Sequence, residues 1–450
     1  MTMAADERRI HCSQRRTSGV VYSLIHRIRW RIYAFLFTFG FIAYFQQKGL
    51  TVAAERIMPE LGLSQVQIGW LEWAFVLGYA AFQFPGGVIG QRLGARRMFT
   101  LIGAIAFLAT VLTPLVPVLL GGAVLFVVLF GLQLLMGLAQ GSIFPVGSGV
   151  METWFRPERW ALIQGLQSMG LQFAAAATPP VVAYLMSTLG WQQALFWPAL
   201  PAVVVIALWA WYARNSPREH PSVTPEEIAE LGKEASPPPA KVDWRRLRYL
   251  FANRSIMLAT FSYVCMNYVF YLISNWCFLY LVQERHFNLL ESGWLATLPP
   301  LAAGLGAGLG GTLVNATCAR FGNKWGFRLV PMVALPVSGL LLLVTVNLSN
   351  PYGAVAALAL SYGIVELCEG PFWGGTMFIA RADTMSATGV LNTGGNLGGL
   401  IGIPIVAHLS QSGMWSWAFV IGAIFSVVGA LAWLGIDADE RFEPPAVIGA

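Results

Sequence analysis

Two glutamates stand in the middle of an otherwise apolar run, Gly363-Ile364-Val365-Glu366-Leu367-Cys368-Glu369-Gly370-Pro371. At i, i+3 spacing on a helix they share a face. Carboxylates that close repel each other, and a low-dielectric segment disfavours charge on both. Such a pair can take up and release a proton or bind a cationic group; structural pairing with a neighbouring helix is the alternative use. Lys48 is the other charge set deep in an apolar run. Its flexible stem can bring an ammonium to a bound anion, or let it snorkel to the outer surface. The chain carries no Walker run, no catalytic pair of carboxylates and no Ser-His-Asp arrangement. Neither an enzyme nor ATP coupling is supported, and no cofactor is called for. The five cysteines, Cys12, Cys265, Cys277, Cys318 and Cys368, have no CxxC spacing, so they read as small buried hydrophobes and not as a metal site or disulfide framework.

The elements that must position these groups are membrane helices. The chain is 56% hydrophobic and 11% charged, against about a quarter charged for a soluble domain. Apolar runs of spanning length fall at 32–53, 68–90, 98–118, 122–151, 161–189 and 191–212. Six more follow at 256–282, 293–318, 327–346, 352–379, 385–409 and 415–434. The strict alternation of a β-barrel is absent, so the expected fold is an all-α membrane protein with twelve transmembrane helices. The first run follows an Arg-rich tail without a small-residue cleavage site and reads as a first span, not a removed signal peptide.

The net charge of +6 comes from loops and not from a nucleic-acid face. Of the 28 Lys and Arg, all but Lys48, Arg56 and Arg285 fall in tails or alternate loops that this topology puts on one side. The positive-inside rule makes that side, with both termini, cytoplasmic. The expected organisation is a basic tail 1–31, a six-helix bundle 32–212, a linker 213–253, a second bundle 254–436 and a tail 437–450. The linker holds Glu226-Glu227-Ile228-Ala229-Glu230, Pro237-Pro238-Pro239 and Arg245-Arg246-Leu247-Arg248. Thr224-Pro225-Glu226 predicts one short surface helix, and the basic run should lie at the membrane surface.

The halves echo each other. Gly87-Val88-Ile89-Gly90-Gln91 before Gly94 and Arg96 parallels Gly311-Thr312-Leu313-Val314-Asn315 before Arg320 and Gly322. Parallel repeats of this kind place a substrate cavity between two six-helix bundles.

The run Gln91-Arg92-Leu93-Gly94-Ala95-Arg96-Arg97, after Phe75, Tyr79, Gln83 and Pro85-Gly86-Gly87, resembles the loop between helices two and three of the major facilitator superfamily. The spacing is similar to the anion:cation symporter branch, the sialin, hexonate and phthalate-type carriers. Trp154-Phe155-Arg156-Pro157-Glu158-Arg159, Gly190-Trp191, Leu298-Pro299 and Asn392-Thr393-Gly394-Gly395-Asn396-Leu397-Gly398-Gly399 extend the resemblance in order along the chain.

The resemblance implies a substrate-binding set of Gln46, Gln47, Tyr79, Gln140, Gln164, Trp276, Tyr280, Trp373, Asn392 and Asn396, to which the chemistry of its ammonium adds Lys48, one residue past the matching position. Glu366 and Glu369 are the proton-coupling candidates, and Gln91, Arg92, Gly94, Arg96, Arg97, Glu152 and Asn315 form the gate. Glu152 is expected to pair with Arg96 or Arg97. The chain departs from the branch where charge matters most. Gln46, Gln47, Gln133 and Gln140 stand where the branch keeps charged residues, and Gln91 and Asn315 replace loop acids. An amide cannot carry a proton, yet it keeps two donors and two acceptor sites. Such residues either knit helices together or line a hydrogen-bonding cavity. The function implied is a secondary active or facilitative transporter of an organic acid or zwitterion, a possible proton symporter, acting as a monomer in the cytoplasmic (inner) membrane. A transporter-like sensor or assembly scaffold is the alternative reading.

Overall fold

Residues 27–231 and 244–440 are described by a computed structural model. The tail through residue 26 with Cys12, the Pro237-Pro238-Pro239 run and the tail from residue 441 lie outside the described residues. In a bilayer every backbone amide must find its partner within the chain, and helices satisfy that locally. Accordingly the described residues are helical with no strand, and nine helical stretches are long and apolar enough to cross a membrane.

The first bundle comprises α1 (Ile28–Leu61), α2 (Gln65–Leu93), α3 (Ala95–Leu119), α4 (Gly122–Gly141), α5 (Ile143–Trp154), α6 (Trp160–Leu189), α7 (Trp191–Phe196) and α8 (Ala199–Tyr212). The linker carries α9 (Pro225–Leu231) and α10 (Trp244–Ala252). The second bundle comprises α11 (Arg254–Gln283), α12 (Leu289–Leu295), α13 (Leu298–Asn347), α14 (Pro351–Glu366), α15 (Glu369–Ala380), α16 (Thr384–Gln411) and α17 (Trp415–Ala432). Caps mark several starts. Ser64 and Gln67 form a capping box on α2, and Asn253 and Asn350 accept backbone N–H bonds at the starts of α11 and α14.

The internal repeat appears in the backbone. Gly94 (φ 81°, ψ 150°) turns the chain between α2 and α3, and Gly322 (φ 76°, ψ 170°) breaks α13 in the same left-handed region. Only glycine adopts that conformation without steric cost. Close helix approach repeats as well. A Cβ at Gly78 or Gly137 would overlap the α2–α4 backbone, and one at Gly306 or Gly310 would overlap the backbone of α14 and the turn after it. Small residues let these helices touch where the hydrophobic effect offers no drive.

One end of the molecule carries the starts of α1 and α11, the end of α17, and α9; it is called the linker face here. α1 starts at Ile28, so Arg29 belongs to the helix and not to the tail. Arg29 Nε donates to Glu227 Oε1 at 3.0 Å and its Nη2 to Glu230 Oε2 at 2.8 Å, with Arg27 joining Glu230. The short helix expected from Thr224-Pro225-Glu226 is α9, but it is strapped to the first bundle, with Glu227 and Leu231 buried.

Candidate functional site

The two bundles meet along a seam that is closed at the linker face. Gln91 Nε2 at the end of α2 donates to the Ala382 carbonyl (2.9 Å) and to Asp383 Oδ1 (3.3 Å). Its Oε1 accepts from Ser386 Oγ at 2.7 Å. The amide at the gate therefore bonds the second bundle with both ends. Met385 of α16 fills a recess in the first bundle where a side chain at Gly87, Gly90 or Gly149 would meet it. Arg381, in the left-handed region at φ 50°, lays its guanidinium over Trp160 (5.3 Å) and Phe378 (4.3 Å). Glu152 at the end of α5 faces Thr384, Arg381 and Asp383. The expected pairing with Arg96 does not form: the Arg96 Nε donates to the Ala210 carbonyl at 2.9 Å. Arg92 and Arg97 are exposed, and Gly94 sits against Asn215. Asn315, the second-half counterpart of Gln91, is half-buried and makes no side-chain hydrogen bond among the described residues. The repeat is thus asymmetric: the Gln91 amide bonds across the seam and the Asn315 amide does not.

Deeper in the seam, polar side chains from both bundles converge. Glu369, at the start of α15, accepts from Tyr263 (3.0 Å) and Trp373 Nε1 (2.9 Å) in its own bundle and from Ser168 Oγ (3.1 Å) in the other. Glu366 is 1% exposed, lies beside Gln172 of α6, and its Oε1 has no hydrogen-bond partner. Between them the chain tightens, with Leu367 and Cys368 bonding the carbonyls three residues back. Side chains at i and i+3 eclipse in such a turn, so both carboxyls stay on one side, as the spacing predicts. Asn392 Nδ2 donates to Gln83 Oε1 across the seam (2.8 Å), and Asn396 Oδ1 accepts from Tyr271 (3.0 Å). Gln83 is fully buried with its Nε2 unpaired, and half-buried Tyr79 lies next to it.

The remaining residues expected at the site are spread more widely. Gln140 Nε2 donates to Gln46 Oε1 at 3.1 Å, and the two lie between α1 and α4 inside the first bundle. Gln46 borders two cavities of about 20 Å³ each, the size of one water, one of them also touching Gln133, Thr110 and Thr113. Gln164 bonds Ser148 at 2.6 Å near the linker face. Gln47 is half-buried, and Lys48 holds its ammonium 5.8 Å from the Tyr44 ring centroid, with no carboxylate paired to it among the described residues. Tyr280 lies away from the seam, packed on Trp415 and Phe419 with its hydroxyl accepting from Arg285 at 2.7 Å. Trp276 is half-buried, with its indole N–H unpaired.

Sequence reasoning missed Ser168, Gln172, Tyr263, Tyr271 and Gln83. A signal was present in the four-residue spacing of Gln164, Ser168 and Gln172 on α6, Tyr263, Asn267 and Tyr271 on α11, and Tyr79 and Gln83 on α2. Each is a polar stripe on one helix face. The described residues contain no cluster of His, Cys, Asp and Glu able to hold a metal, and their cysteines are free.

This architecture, two helical bundles meeting on a polar seam sealed at one end, defines a membrane transporter. The major facilitator superfamily model matches residues 36–377 and 291–449, and the chain belongs to that family. A probable sulfoacetate transporter of Cupriavidus necator is 29% identical over 88% of this chain and 91% of its own length. A probable galactarate/D-glucarate transporter of Escherichia coli is 23% identical over 94% of this chain and 96% of its own. For a hexuronate transporter of Bacillus subtilis the figures are 26%, 88% and 92%. Among solved structures, a proton:xylose symporter aligns with a TM-score of 0.72 at 12% identity, covering 92% of this chain and 98% of its own. A fucose transporter in the outward conformation gives 0.67 at 14% identity, covering 89% and 97%. These relatives are transporters and not enzymes, and a sensor or scaffold without transport is not favoured.

Proposed function

We propose that the protein carries a small organic anion bearing several hydroxyl or other polar groups across the cytoplasmic membrane by alternating access. The observation that supports this reading is the seam: hydrogen bonds and half-buried Met385 close it at one end, while amides and phenols of both bundles are gathered deeper in. The substrate class follows the relatives named for sulfoacetate, glucarate and hexuronates. Lys48 is assigned the substrate's acidic group, since a point-like ammonium can hold an anion where a guanidinium fork is missing. Gln83, Asn392, Asn396 and Tyr271 are assigned its hydroxyls. The topology is read as twelve spans, counting α1 as one span and two each in α13 and the α14–α16 stretch. The linker face, which gathers nearly all the described Lys and Arg, is read as cytoplasmic, and the protein as a monomer.

The test is counterflow into proteoliposomes with labelled sulfoacetate, D-glucarate and D-glucuronate, alongside neutral sugars and amino acids. Saturable exchange with at least one organic acid is expected. Flux with neutral sugars alone would overturn the anion assignment.

A further inference from the structure

Among the described residues, the carboxyls within the seam at the level of the amide cluster are Glu366 and Glu369, and their surroundings differ sharply. Glu369 accepts three hydrogen bonds, from Ser168, Tyr263 and Trp373, at 2.9 to 3.1 Å. Glu366 is still more enclosed, but one of its oxygens meets no donor. An oxygen without a donor is where a proton can be added without displacing an existing bond, and a buried charge without partners is the costly state. Groups facing the pair from neighbouring elements are Ser168 and Gln172 (α6), Tyr263 (α11) and Tyr79 (α2), with Tyr362, Cys368 and Trp373 from its own segment. No basic side chain is among them.

We propose that Glu366 takes up and releases the coupling proton, while Glu369 is the fixed acceptor through which the opposite bundle reads that event. This rests on the transporter reading above and adds to it the coupling ion and a division of roles. The physical link is α6. Ser168 and Gln172 lie one turn apart on it; Ser168 bonds Glu369, and Gln172 lies against Glu366 and donates to Tyr362 at 3.4 Å. A single helix of the first bundle therefore touches both carboxyls of the second. When α6 moves away, Glu369 loses a donor and Glu366 loses its amide neighbour, so the energy of the proton on Glu366 depends on which face is open. Gln46, Gln133 and Gln140 cannot supply such a group in the first bundle, since amides do not titrate.

The step is a simple proton transfer. The Glu366 carboxylate takes one proton from water reaching it from one face and returns it to water at the other. For a monoanion such as D-glucuronate one proton makes the cycle electroneutral, and uptake should reach about tenfold accumulation per unit of imposed pH gradient.

Two readouts test this separately from the transport reading. Infrared spectra of the purified full chain, without substrate, report the carbonyl stretch of a protonated carboxyl as a function of pH. Wild-type protein should show such a band in its membrane interior, and Glu366→Gln should abolish it while Glu369→Gln keeps it. Loss of the band in Glu369→Gln with retention in Glu366→Gln would overturn the assigned roles, and absence of a titrating band in wild-type protein would overturn the site. In proteoliposomes, using whichever labelled acid of the panel gives counterflow, Glu366→Gln should lose concentrative uptake under a pH gradient yet keep exchange. Concentrative uptake that survives in Glu366→Gln would also overturn the proposal. A titrating band combined with no flux for any solute would leave the proton site standing and remove the transport reading instead.

Discussion

Lys48 shows how little charge the first bundle offers a substrate. Its ammonium rests near the Tyr44 ring with no carboxylate paired to it among the described residues, so it is available to an anion. A hydrogen bond to a charged partner contributes about 1.5–3 kcal/mol. Lys48→Met is therefore expected to raise the half-saturating concentration of an organic acid by roughly tenfold to a hundredfold. Unchanged half-saturation would move the anion contact elsewhere. At this scale charge was legible and hydroxyls were not. Glu366 and Glu369 stand out in an apolar run because burying a carboxyl is costly enough to demand a reason. Ser168 and Tyr263 are tolerated in any span, so nothing in their types announces that they hold Glu369. The resemblance of Gln46 and Gln140 to a charged pair misleads about surroundings: freed of charge, the two amides bond each other inside the bundle.

Between elements, the seam closes because its backbones come very near. A Cβ at Gly311 of α13 would overlap Leu162 and Ala161 of α6. Gly311→Val should hold the bundles apart at the linker face, raising alkylation of a cysteine placed at Ser386 and reducing exchange severalfold. Normal exchange with unchanged labelling would show that the seam tolerates the extra volume. The strap of α9 gives a second test. Arg29 and Glu227 are 7% and 9% exposed, between a surface pair and a buried one, so Glu227→Ala should cost about 1–3 kcal/mol. Thermal unfolding of the purified protein measures it.

His220 packs on Tyr212 (4.8 Å) and Trp154 (6.0 Å), and burial, followed by the nearby Arg214, holds its imidazole below the ordinary value. The unfolded chain then protonates first as pH falls, so the strap is fully stable above about pH 6.5 and weakens below it. Amide exchange across 217–231 should accelerate on acidification, and His220→Gln should flatten that response. A response unaltered by the substitution would assign it to another group. The repeat turns at Gly94 and Gly322 were legible because a glycine demand is local. The strap was not, since Arg29 and Glu227 are 198 residues apart and only the fold brings them together.

For the molecule as a whole, alternating access requires that the closed linker face open in each cycle. The number of apolar runs and the distribution of Lys and Arg already implied two bundles about a linker, because both follow from the bilayer as solvent. Which face is closed depends on contacts such as Met385 in its glycine recess and was not readable from composition. That recess offers the most direct measurement. A cysteine pair at Gly149 and Met385 would lie across the seam, and the atoms that a side chain at Gly149 would meet belong to the methionine that the second substitution removes. Counterflow of an organic acid through this double variant should be present when reduced, abolished when a disulfide forms, and restored on reduction. Undiminished counterflow with the disulfide fully formed would contradict alternating access through this seam.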